Sequence, residues 1–463
     1  MRSRFFSLAL AGALLGLCSC VGLTRTGGGE QAGSMQSLQH IVFMVQENRS
    51  FDHYFGQLGQ YRAANNFGAA SDIDGTPSWA WNAADNGTIL HPFHLETTCV
   101  EELSDDWMES HVDMNENHPG SSTILMDGFV HIAGDYALAF DEVDTLGVRV
   151  MGYYDQDDLP YYYFLASQYA TSDRWFSPIP TESIPNRIYL TAATSAGHAH
   201  APTDQYPCCE PQIPQTIFSE MQSAGISWKL YYTDTLPNGQ PLTDLSQFWP
   251  NFARQHAANI VPVSQYLTDL ANNNLPQVSY IQAGLASGRD EHPGGQTTRG
   301  EGGNDVQQGA QYASSLINAL MNSTSWSSSV FILSYDEGGG FYDHVPPQPA
   351  VQPDGIKPYD LFPDDSIIQP PADFNQTGFR LPLMVISPFS KRHYVSHTVA
   401  DNTAILKLIE TRFGLPSLTQ RDAAQMDMSE FFDFTNAPSS NVPVPPAQPV
   451  AKECDPTNLP ASP

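Results

Sequence analysis

Basic side chains are scarce in this sequence. Its 463 residues include 20 Lys and Arg against 50 Asp and Glu, and the formal net charge at pH 7 is −30. A protein that binds nucleic acid, or that docks electrostatically on anionic lipid, needs clustered positive charges to neutralise phosphates. The shortage of such charges argues against both classes of partner.

Cysteine is sparse as well, and no two cysteines have CxxC spacing, which argues against a structural zinc site. The six cysteines are Cys18, Cys20, Cys99, Cys208, Cys209 and Cys454. The last four allow one or two disulfides in an exported protein, with a connectivity that the sequence leaves open. We expect no bond between the adjacent Cys208 and Cys209, because the ring that it would close is strained.

The N-terminal apolar run, residues 5–17, is too short to span a membrane permanently. It follows two arginines and precedes small residues, which is the layout of a secretory signal. We expect a signal peptide over residues 1–20 and a flexible tether over residues 21–36. The segment Leu17-Cys18-Ser19-Cys20 resembles a bacterial lipoprotein cleavage box, with Cys20 as the lipid-bearing residue, although simple secretion stays open. The protein is therefore expected to be exported, as a periplasmic, outer-membrane-anchored or secreted protein.

The rest of the chain alternates between strand and helix patterns and shows no internal repeat. An apolar strand at Val278–Gln282, an amphipathic helix over 304–321 and a strand over 330–335 predict a parallel βαβ unit. The other predicted elements are helices over 159–170, 218–224 and 402–413, strands over 227–232 and 381–387, and a long irregular segment over 61–96. We expect an α/β domain over residues 37–435 and a Pro-rich irregular tail over residues 436–463.

Two apolar runs end in the same kind of polar residues. The run Ile41–Val45 stops at Gln46, after which Glu47 and Asn48 follow, and the run at 330–335 is followed by Asp336 and Glu337. Ligands of open α/β sheets bind at the carboxyl ends of buried strands, and carboxylate and amide oxygens suit a hard divalent ion. The pattern predicts one shared cation site, whereas a helix cap at Glu47 and a turn at Asp336 is the simpler alternative.

Ser183 is the candidate nucleophile. Prolines fix the backbone on both sides of it, and Asn186 and Arg187 follow closely. A hydroxyl held beside a cation can act as a nucleophile, since a metal lowers its pKa. Thr181 competes for this role, and Ser183 is also a candidate N-cap of the following helix, whose N-terminus would favour a phosphate group.

Seven short motifs then appear in the order that is typical of the bacterial phosphoesterase family, which includes non-zinc phospholipases C and acid phosphatases. These motifs are ENRSFDHYFG at 47–56, MGYY at 151–154, SIPNR at 183–187, EHP at 291–293, YDEGGGFYDHV at 335–345, VISP at 385–388 and SHT at 396–398. Because the motifs are spread over nearly the whole mature chain and two of them are long, the chain closely resembles this family.

The resemblance implies a three-layer α/β/α sandwich with a mostly parallel central sheet, similar to alkaline phosphatase. It also implies a metal held by oxygen donors and a Ser or Thr nucleophile. By position, the implied metal ligands are Glu47, Asn48, Asp336, Glu337 and Ser183, with Ser183 also as the nucleophile. The implied phosphoryl-facing histidines are His111 and His292, with His344 as a weaker candidate.

The sequence departs from the family on one side of the pocket. Many members have a His two residues before Trp107, where this chain has Asp105, and the segment between His111 and Met126 is longer than usual. The acid at Glu337 is typical of the phospholipase branch, whereas the acid phosphatases tend to carry Asp.

The resulting hypothesis is a metal-dependent phosphoric ester hydrolase of the phospholipase C type, with a phosphoserine intermediate. Its substrate would be a phospholipid or a small phosphomonoester. An acid phosphatase is the alternative within the class, and it stays open because only a Pro-rich tail follows Thr435, whereas phospholipase members often carry C-terminal β-domains. A non-catalytic, cation-binding surface lipoprotein is the alternative from another class.

Overall fold

The computed structural model describes residues 34–294, 304–436, 438 and 443–459. The expected signal peptide, Cys20 and all but the last residues of the expected tether lie outside these ranges. Part of the loop before the helix at 304–321 and parts of the C-terminal tail lie outside them as well.

Eight of the fourteen strands in the described residues form one sheet, in the order β13-β6-β12-β11-β1-β10-β8-β9. The strands are β1 (His40–Gln46), β2 (Asn82–Ala83), β3 (Ile89–Leu90), β4 (Phe93–His94), β5 (Gly152–Tyr153), β6 (Ala170–Ser172), β7 (Trp175–Phe176), β8 (Trp228–Tyr232), β9 (Ile260–Pro262), β10 (Val278–Gln282), β11 (Ser329–Tyr335), β12 (Met384–Ile386), β13 (Tyr394–Ser396) and β14 (Ala400–Asp401). The two pairings of β12 are antiparallel and the other five are parallel. The sheet is therefore mostly parallel, as predicted.

Helices cover both sides of this sheet. The α-helices are Phe51–Phe55, Leu58–Ala64, Trp107–Met114, Phe129–Phe140, Pro160–Gln168, Ser183–Ala192, Ile217–Ala224, Asp244–Phe248, Pro250–Gln255, Val263–Ala271, Val306–Met321, Thr403–Phe413 and Gln420–Ala423. Single 3₁₀ turns are Met35–Ser37, Ala70–Asp72, Val148–Met151, Ala257–Asn259, Thr324–Ser328, Asp364–Ile367 and Ser429–Phe431. The predicted α/β/α class is confirmed. In the described part of the chain, no helix is long and apolar enough to cross a membrane.

Strand β1 lies at the centre of the sheet, between β10 and β11. Its residues Ile41–Val45 are at most 1% exposed, because neighbouring strands cover both edges and helices cover both faces. The ring of Phe43 stacks on that of Tyr280 in β10, with centroids 4.6 Å apart. The continuous apolar run of this strand is therefore the pattern of a doubly covered strand, as the sequence predicts.

The predicted βαβ unit is confirmed and has β1 inserted between its strands. Strands β10 and β11 both pair with β1 in parallel, and the helix Val306–Met321 connects them. The carboxyl ends of all three strands consequently meet at one edge of the sheet, where open α/β sheets bind ligands.

Several predicted boundaries differ from the structure by one or more residues, and three of these differences are informative. The strand expected over 381–387 covers only Met384–Ile386, because Pro382 has no N–H for a sheet ladder. The helix expected over 159–170 ends at Gln168, since Ala170 already pairs in β6. The irregular segment expected over 61–96 begins inside the helix Leu58–Ala64 and also contains three strands of two residues each.

Both cysteine pairs of the described chain are bonded. Cys99 pairs with Cys454, with Cα atoms 5.1 Å apart. Cys208 pairs with Cys209, so the expectation that these neighbours stay unbonded is wrong. The peptide bond between them is cis.

The C-terminal segment 443–459 contains no helix or strand, yet it is attached to the domain. The amide of Gln448 donates to the carbonyl oxygen of Asp158 (2.8 Å), and the N–H of Ala451 donates to the side chain of Gln307 (2.9 Å). Together with the bond of Cys454, these contacts hold the segment against the helix Val306–Met321.

Candidate active site

The acidic residues that follow β1 and β11 meet at the carboxyl edge of the sheet. Gln46 and Tyr335 are paired across the two strands, so Glu47 and Asp336 leave the sheet side by side. The N–H of Asn48 donates to Oδ1 of Asp336 over 3.1 Å. Gly339, at φ +64°, lies against the carbonyl of Asn48 so closely that a Cβ would overlap it. The predicted meeting of the two strand ends is thus present.

The hydroxyl of Ser183 faces this acidic edge. Its hydrogen is shared between Oε2 of Glu47 and Oδ1 of Asn48, at 2.8 and 2.9 Å. Ser183 is the first residue of the helix Ser183–Ala192, and the N-cap position belongs to Glu182, so the predicted N-cap at Ser183 is one residue off. Its hydroxyl is therefore not used for capping and stays directed at the acidic edge.

Two neighbours of Ser183 define its surroundings. The hydroxyl of Thr181 donates to the carbonyl oxygen of Ala199 over 2.6 Å, and Thr181 is 2% exposed. The amide of Asn186 donates to the carbonyl oxygens of Ile179, Thr181 and Glu182 and accepts from the N–H of Ile179. The hydroxyl of Thr181 is thus committed elsewhere, and Asn186 fixes the turn that presents Ser183.

Arg187 supplies a buried positive charge beneath the acidic edge. The guanidinium is 1% exposed, forms an ion pair with Oε1 of Glu47, and donates to Oδ2 of Asp336 over 3.1 Å. The sequence marked Arg187 only as a member of a motif. In the structure it neutralises part of the charge that the two strand ends bring together.

Asp105 adds a further carboxylate to the site. It lies beside Glu337 and accepts a hydrogen bond from the amide of Asn48 (3.0 Å). Burial raises the pKa of Asp105 to about 7. Burial and the charge of Glu47 raise the pKa of Asp336 to about 7 as well. The pKa of Glu337 is raised well above its usual value, by burial first and then by the charge of Asp105.

Four carboxylates thus lie at this edge, and the guanidinium of Arg187 pairs with only two of them, those of Glu47 and Asp336. This donor set can be tested against a divalent cation. Oε1 of Glu337 is buried and accepts no hydrogen bond from the part of the chain that the structure describes. An uncompensated buried carboxylate oxygen is costly unless a cation or donor meets it. Oxygen donors from Glu47, Asn48, Asp336 and Glu337 therefore fit a hard divalent ion. Asp105 is a further oxygen donor of this edge, which the sequence noted only as a departure from the family.

His292 lies next to the same amide. Its Nε2 is 3.2 Å from Nδ2 of Asn48, and its Nδ1 is 2.5 Å from the carbonyl oxygen of Pro293. Burial lowers the pKa of this imidazole, but the carboxylates of Glu102, Asp290 and Glu47 outweigh it and raise the pKa to about 9. The structure thus brings His292 together with the predicted ligands.

The preceding residue, Glu291, anchors the loop that carries His292. Glu291 is fully buried, and its carboxylate accepts hydrogen bonds from the hydroxyls of Tyr54, Tyr162 and Tyr335 at 2.5–2.8 Å. The backbone of Glu291 has a φ of +72°. Charge-assisted hydrogen bonds of this kind hold the unusual backbone in place. Glu291 therefore positions His292 and does not itself face the acidic edge.

The other two predicted histidines lie in different surroundings. His111, in the helix Trp107–Met114, donates from Nδ1 to the carbonyl oxygen of Trp107 (2.6 Å), and burial lowers its pKa to about 4. His344 donates to Asp52 (2.6 Å) in a buried group that also contains Arg380 and Asp343. Within the described ranges, neither imidazole forms a hydrogen bond to Ser183 or to the four predicted metal-binding residues around it.

Similar proteins are found among known sequences and among solved structures. The sequence profile described as the phosphoesterase family matches residues 38–416. The chain is similar to phospholipase C A of Mycobacterium tuberculosis (strain CDC 1551 / Oshkosh), with 31% identity over 90% of this chain and 81% of that protein. It is also similar to the hemolytic phospholipase C of Pseudomonas aeruginosa, with 29% identity over 89% of this chain and 58% of that protein. A solved structure of a protein in the alkaline phosphatase superfamily from Vibrio parahaemolyticus aligns over 73% of each chain, at 12% identity and a TM-score of 0.35.

Proposed function

This chain belongs to the phosphoesterase family, and we propose that it is an exported, metal-dependent phospholipase C that works through a phosphoserine intermediate. It is an enzyme that hydrolyses phosphoric esters. The observation that carries the proposal is the hydroxyl of Ser183, which is hydrogen-bonded to Glu47 and Asn48 at the carboxyl edge of the sheet.

Ser183 is the proposed nucleophile. It is partly exposed, and it begins the helix Ser183–Ala192, whose N-terminus favours a negatively charged phosphoryl group. In the first step a bond forms between Oγ and phosphorus while the bond from phosphorus to the alcohol oxygen breaks. The hydroxyl proton passes to Glu47, which already accepts its hydrogen bond. In the second step water attacks phosphorus and the bond from phosphorus to Oγ breaks, which releases the phosphoryl product. The proton held by Glu47 returns to Oγ, and the proton of the water passes to the proton donor of the first step.

Glu47, Asn48, Asp336, Glu337 and the Ser183 hydroxyl are the residues that would hold a divalent cation. Such an ion, when bound, would stabilise negative charge on the phosphoryl oxygens and favour the ionised hydroxyl. Arg187 holds Glu47 and Asp336 in place from below, so that their remaining oxygens point toward the site.

His292 is the proposed donor of the proton that the departing alcohol oxygen needs. It contacts Asn48, which in turn contacts Ser183, so one side chain separates it from the nucleophile. The loop anchored by Glu291 keeps the imidazole in this position. His111 and His344 stay secondary candidates, since their hydrogen bonds are directed to other residues.

Phospholipid is the proposed substrate class because the relatives are named phospholipases C. Export is supported by the bond between Cys99 and Cys454, since disulfides persist in oxidising compartments. A lipid anchor at Cys20 belongs to the same proposal and is tested by the mass of the mature N-terminal peptide.

The test uses the full chain and a panel of divalent ions, with phosphatidylcholine and an aryl phosphate monoester offered in parallel. Diacylglycerol and phosphocholine are the expected products. Inorganic phosphate from the monoester alone would instead establish an acid phosphatase. Cleavage of neither substrate, with any ion, would contradict the proposal and favour the non-catalytic cation-binding protein.

The nucleophile is tested with Ser183→Ala and with Thr181→Ala as the matched control. Ser183→Ala is expected to lose at least about 10³-fold in kcat, because the covalent route is removed. Thr181→Ala is expected to keep most of its activity, and acid-quenched wild-type enzyme should yield a phosphopeptide that contains Ser183. Substantial hydrolysis by Ser183→Ala, with loss in the Thr181 variant, would transfer the role to Thr181.

A further inference from the structure

A second group of metal-ligating side chains lies next to the nucleophile. Asp106, Glu182 and His200 each place one ligand atom within 4.8 Å of the other two. Glu182 directly precedes Ser183, and Asp106 directly follows Asp105. We propose that these three side chains hold a second divalent cation, separate from the one expected at the strand ends.

His200 carries the argument. It is 3% exposed, and its Nε2 donates to Oδ2 of Asp365 over 2.9 Å. Its Nδ1 is buried and has no hydrogen-bond partner among the described residues. Metal-bound histidines usually have one nitrogen on the ion and the other on a carboxylate, which fixes the ring. His200 has this arrangement, with Nδ1 left for the ion.

The ring of His200 is also held from its face and from its backbone. Phe362 stacks on it with centroids 4.1 Å apart, and the N–H of Phe362 donates to the same oxygen of Asp365 over 2.5 Å. The N–H of Ala201, the next residue, donates to Oε1 of Glu182 over 2.6 Å. This bond holds the carboxylate of Glu182 beside the backbone that carries His200, and one ligand atom of each side chain lies within 4.8 Å of the other.

The carboxylates of Asp106 and Glu182 each have an oxygen that is available to bind an ion. Asp106 occupies the N-cap position of the helix Trp107–Met114, but its side chain makes no capping hydrogen bond. Glu182 uses Oε1 for the N–H of Ala201 and keeps Oε2. Both side chains are partly exposed, so an ion from solvent can reach them.

A second group of two carboxylates and one imidazole differs from this one in having a guanidinium between its carboxylates. Asp52, Asp343 and His344 also cluster, but Arg380 is placed between the two carboxylates at 3.0 and 2.9 Å. A guanidinium already neutralises that group, which therefore needs no ion. The positive partner of Asp106 and Glu182 is instead an imidazole with a free nitrogen.

The ligand set determines the chemical class of ion. One imidazole nitrogen and two carboxylate oxygens suit Zn²⁺ or Mn²⁺ better than Mg²⁺ or Ca²⁺, which prefer oxygen alone. The ion would add positive charge one residue from Ser183 and would fix the start of the nucleophile's helix. The site stands on its own geometry and does not depend on which phosphoester is cleaved.

The experiment measures Mn²⁺ per chain by equilibrium dialysis of the metal-stripped full chain at micromolar free Mn²⁺. We expect two ions in wild type, and one ion in both His200→Gln and Asp106→Asn. Glu337→Gln should lose the other ion, so that combining it with Asp106→Asn leaves none. Asp106 is partly exposed and Asn has nearly the same shape, so we expect Asp106→Asn to fold. This variant keeps the test valid if His200→Gln does not fold.

Two outcomes would overturn the proposal. One is a wild-type chain that binds a single ion, with Asp106→Asn binding the same amount. The other is loss of the same single ion in Asp106→Asn and in Glu337→Gln, which would mean one site. Cleavage assays on phosphatidylcholine, run in parallel, keep the result separate from the proposed activity, because ion counts do not require turnover.

Discussion

Asp105→Asn should make the metal-free protein more stable while weakening its affinity for a divalent cation. The amide keeps an oxygen to accept from Asn48, so the hydrogen bond over 3.0 Å survives the change. The negative charge beside Glu337 is lost. A residue that serves only packing would not produce these opposite effects, so the variant separates a functional carboxylate from a structural one.

The size of the effect follows from the pKa of Asp105. Burial raises it from 3.8 to about 7 in the folded protein. Below about pH 4 Asp105 is protonated in both the folded and the unfolded state and does not lower the unfolding free energy. As the pH rises from there through 7, the unfolding free energy falls, because the folded state must release a proton that it holds more tightly than the unfolded chain does. At about 1.4 kcal/mol per pKa unit the loss is at most about 4 kcal/mol, and partial exposure reduces it to about 1–3 kcal/mol.

The assay is urea unfolding in EDTA at pH 5 and pH 8, followed by tryptophan fluorescence. Asp105→Asn should exceed wild type by about 1–3 kcal/mol at pH 8 and by less at pH 5, whereas the exposed control Asp204→Asn should match wild type at both. Saturating Mn²⁺ should then stabilise wild type more than the variant. Equal or lower stability of Asp105→Asn at pH 8, or equal stabilisation by Mn²⁺, would refute the reasoning.

Three other changes test the surrounding structure. Arg187→Met leaves Glu47 and Asp336 without their buried partner, so we expect the unfolding free energy in EDTA to fall by about 3–5 kcal/mol. Mn²⁺ should restore part of this loss, and an unchanged urea midpoint would contradict the prediction. Glu291→Leu leaves three buried tyrosine hydroxyls without an acceptor, which should lower the unfolding free energy by at least about 3 kcal/mol, with Glu291→Gln intermediate. Replacing Cys454 with Ala should lower the unfolding free energy by about 2–5 kcal/mol, and reductant should lower the melting temperature of wild type more than that of this variant, which keeps only the bond between Cys208 and Cys209.

The central sheet was the most predictable part of the fold. The run Ile41–Val45 and the strand Val278–Gln282 are short apolar segments, a pattern that suits buried strands, and both strands occur where predicted. The antiparallel direction of β12, in contrast, could not be predicted from the sequence. Whether a short apolar run pairs parallel or antiparallel depends on its neighbours in space, and no local pattern in Met384–Ile386 encodes them.

The site residues that directly follow a buried strand could be predicted from the sequence, and those on loops were harder to predict. Glu47 and Asp336 meet because adjacent parallel strands carry them to one edge. Asp105 reaches that edge from a loop, which strand periodicity does not describe. The bond between Cys208 and Cys209 joins two neighbours in the chain, a pairing that general disulfide geometry argues against. Likewise His344 belongs to a long motif, but its partners are fixed by packing around Arg380.

The bond between Cys99 and Cys454 also affects how cleavage of the chain would be detected. A protease that cuts between residues 436 and 443 would leave the C-terminal piece covalently joined to the domain. The clipped protein would migrate as one species without reductant and as two species with it. Preparations that look intact on a non-reducing gel can therefore contain nicked chains, and their true state is visible only after the disulfide is opened.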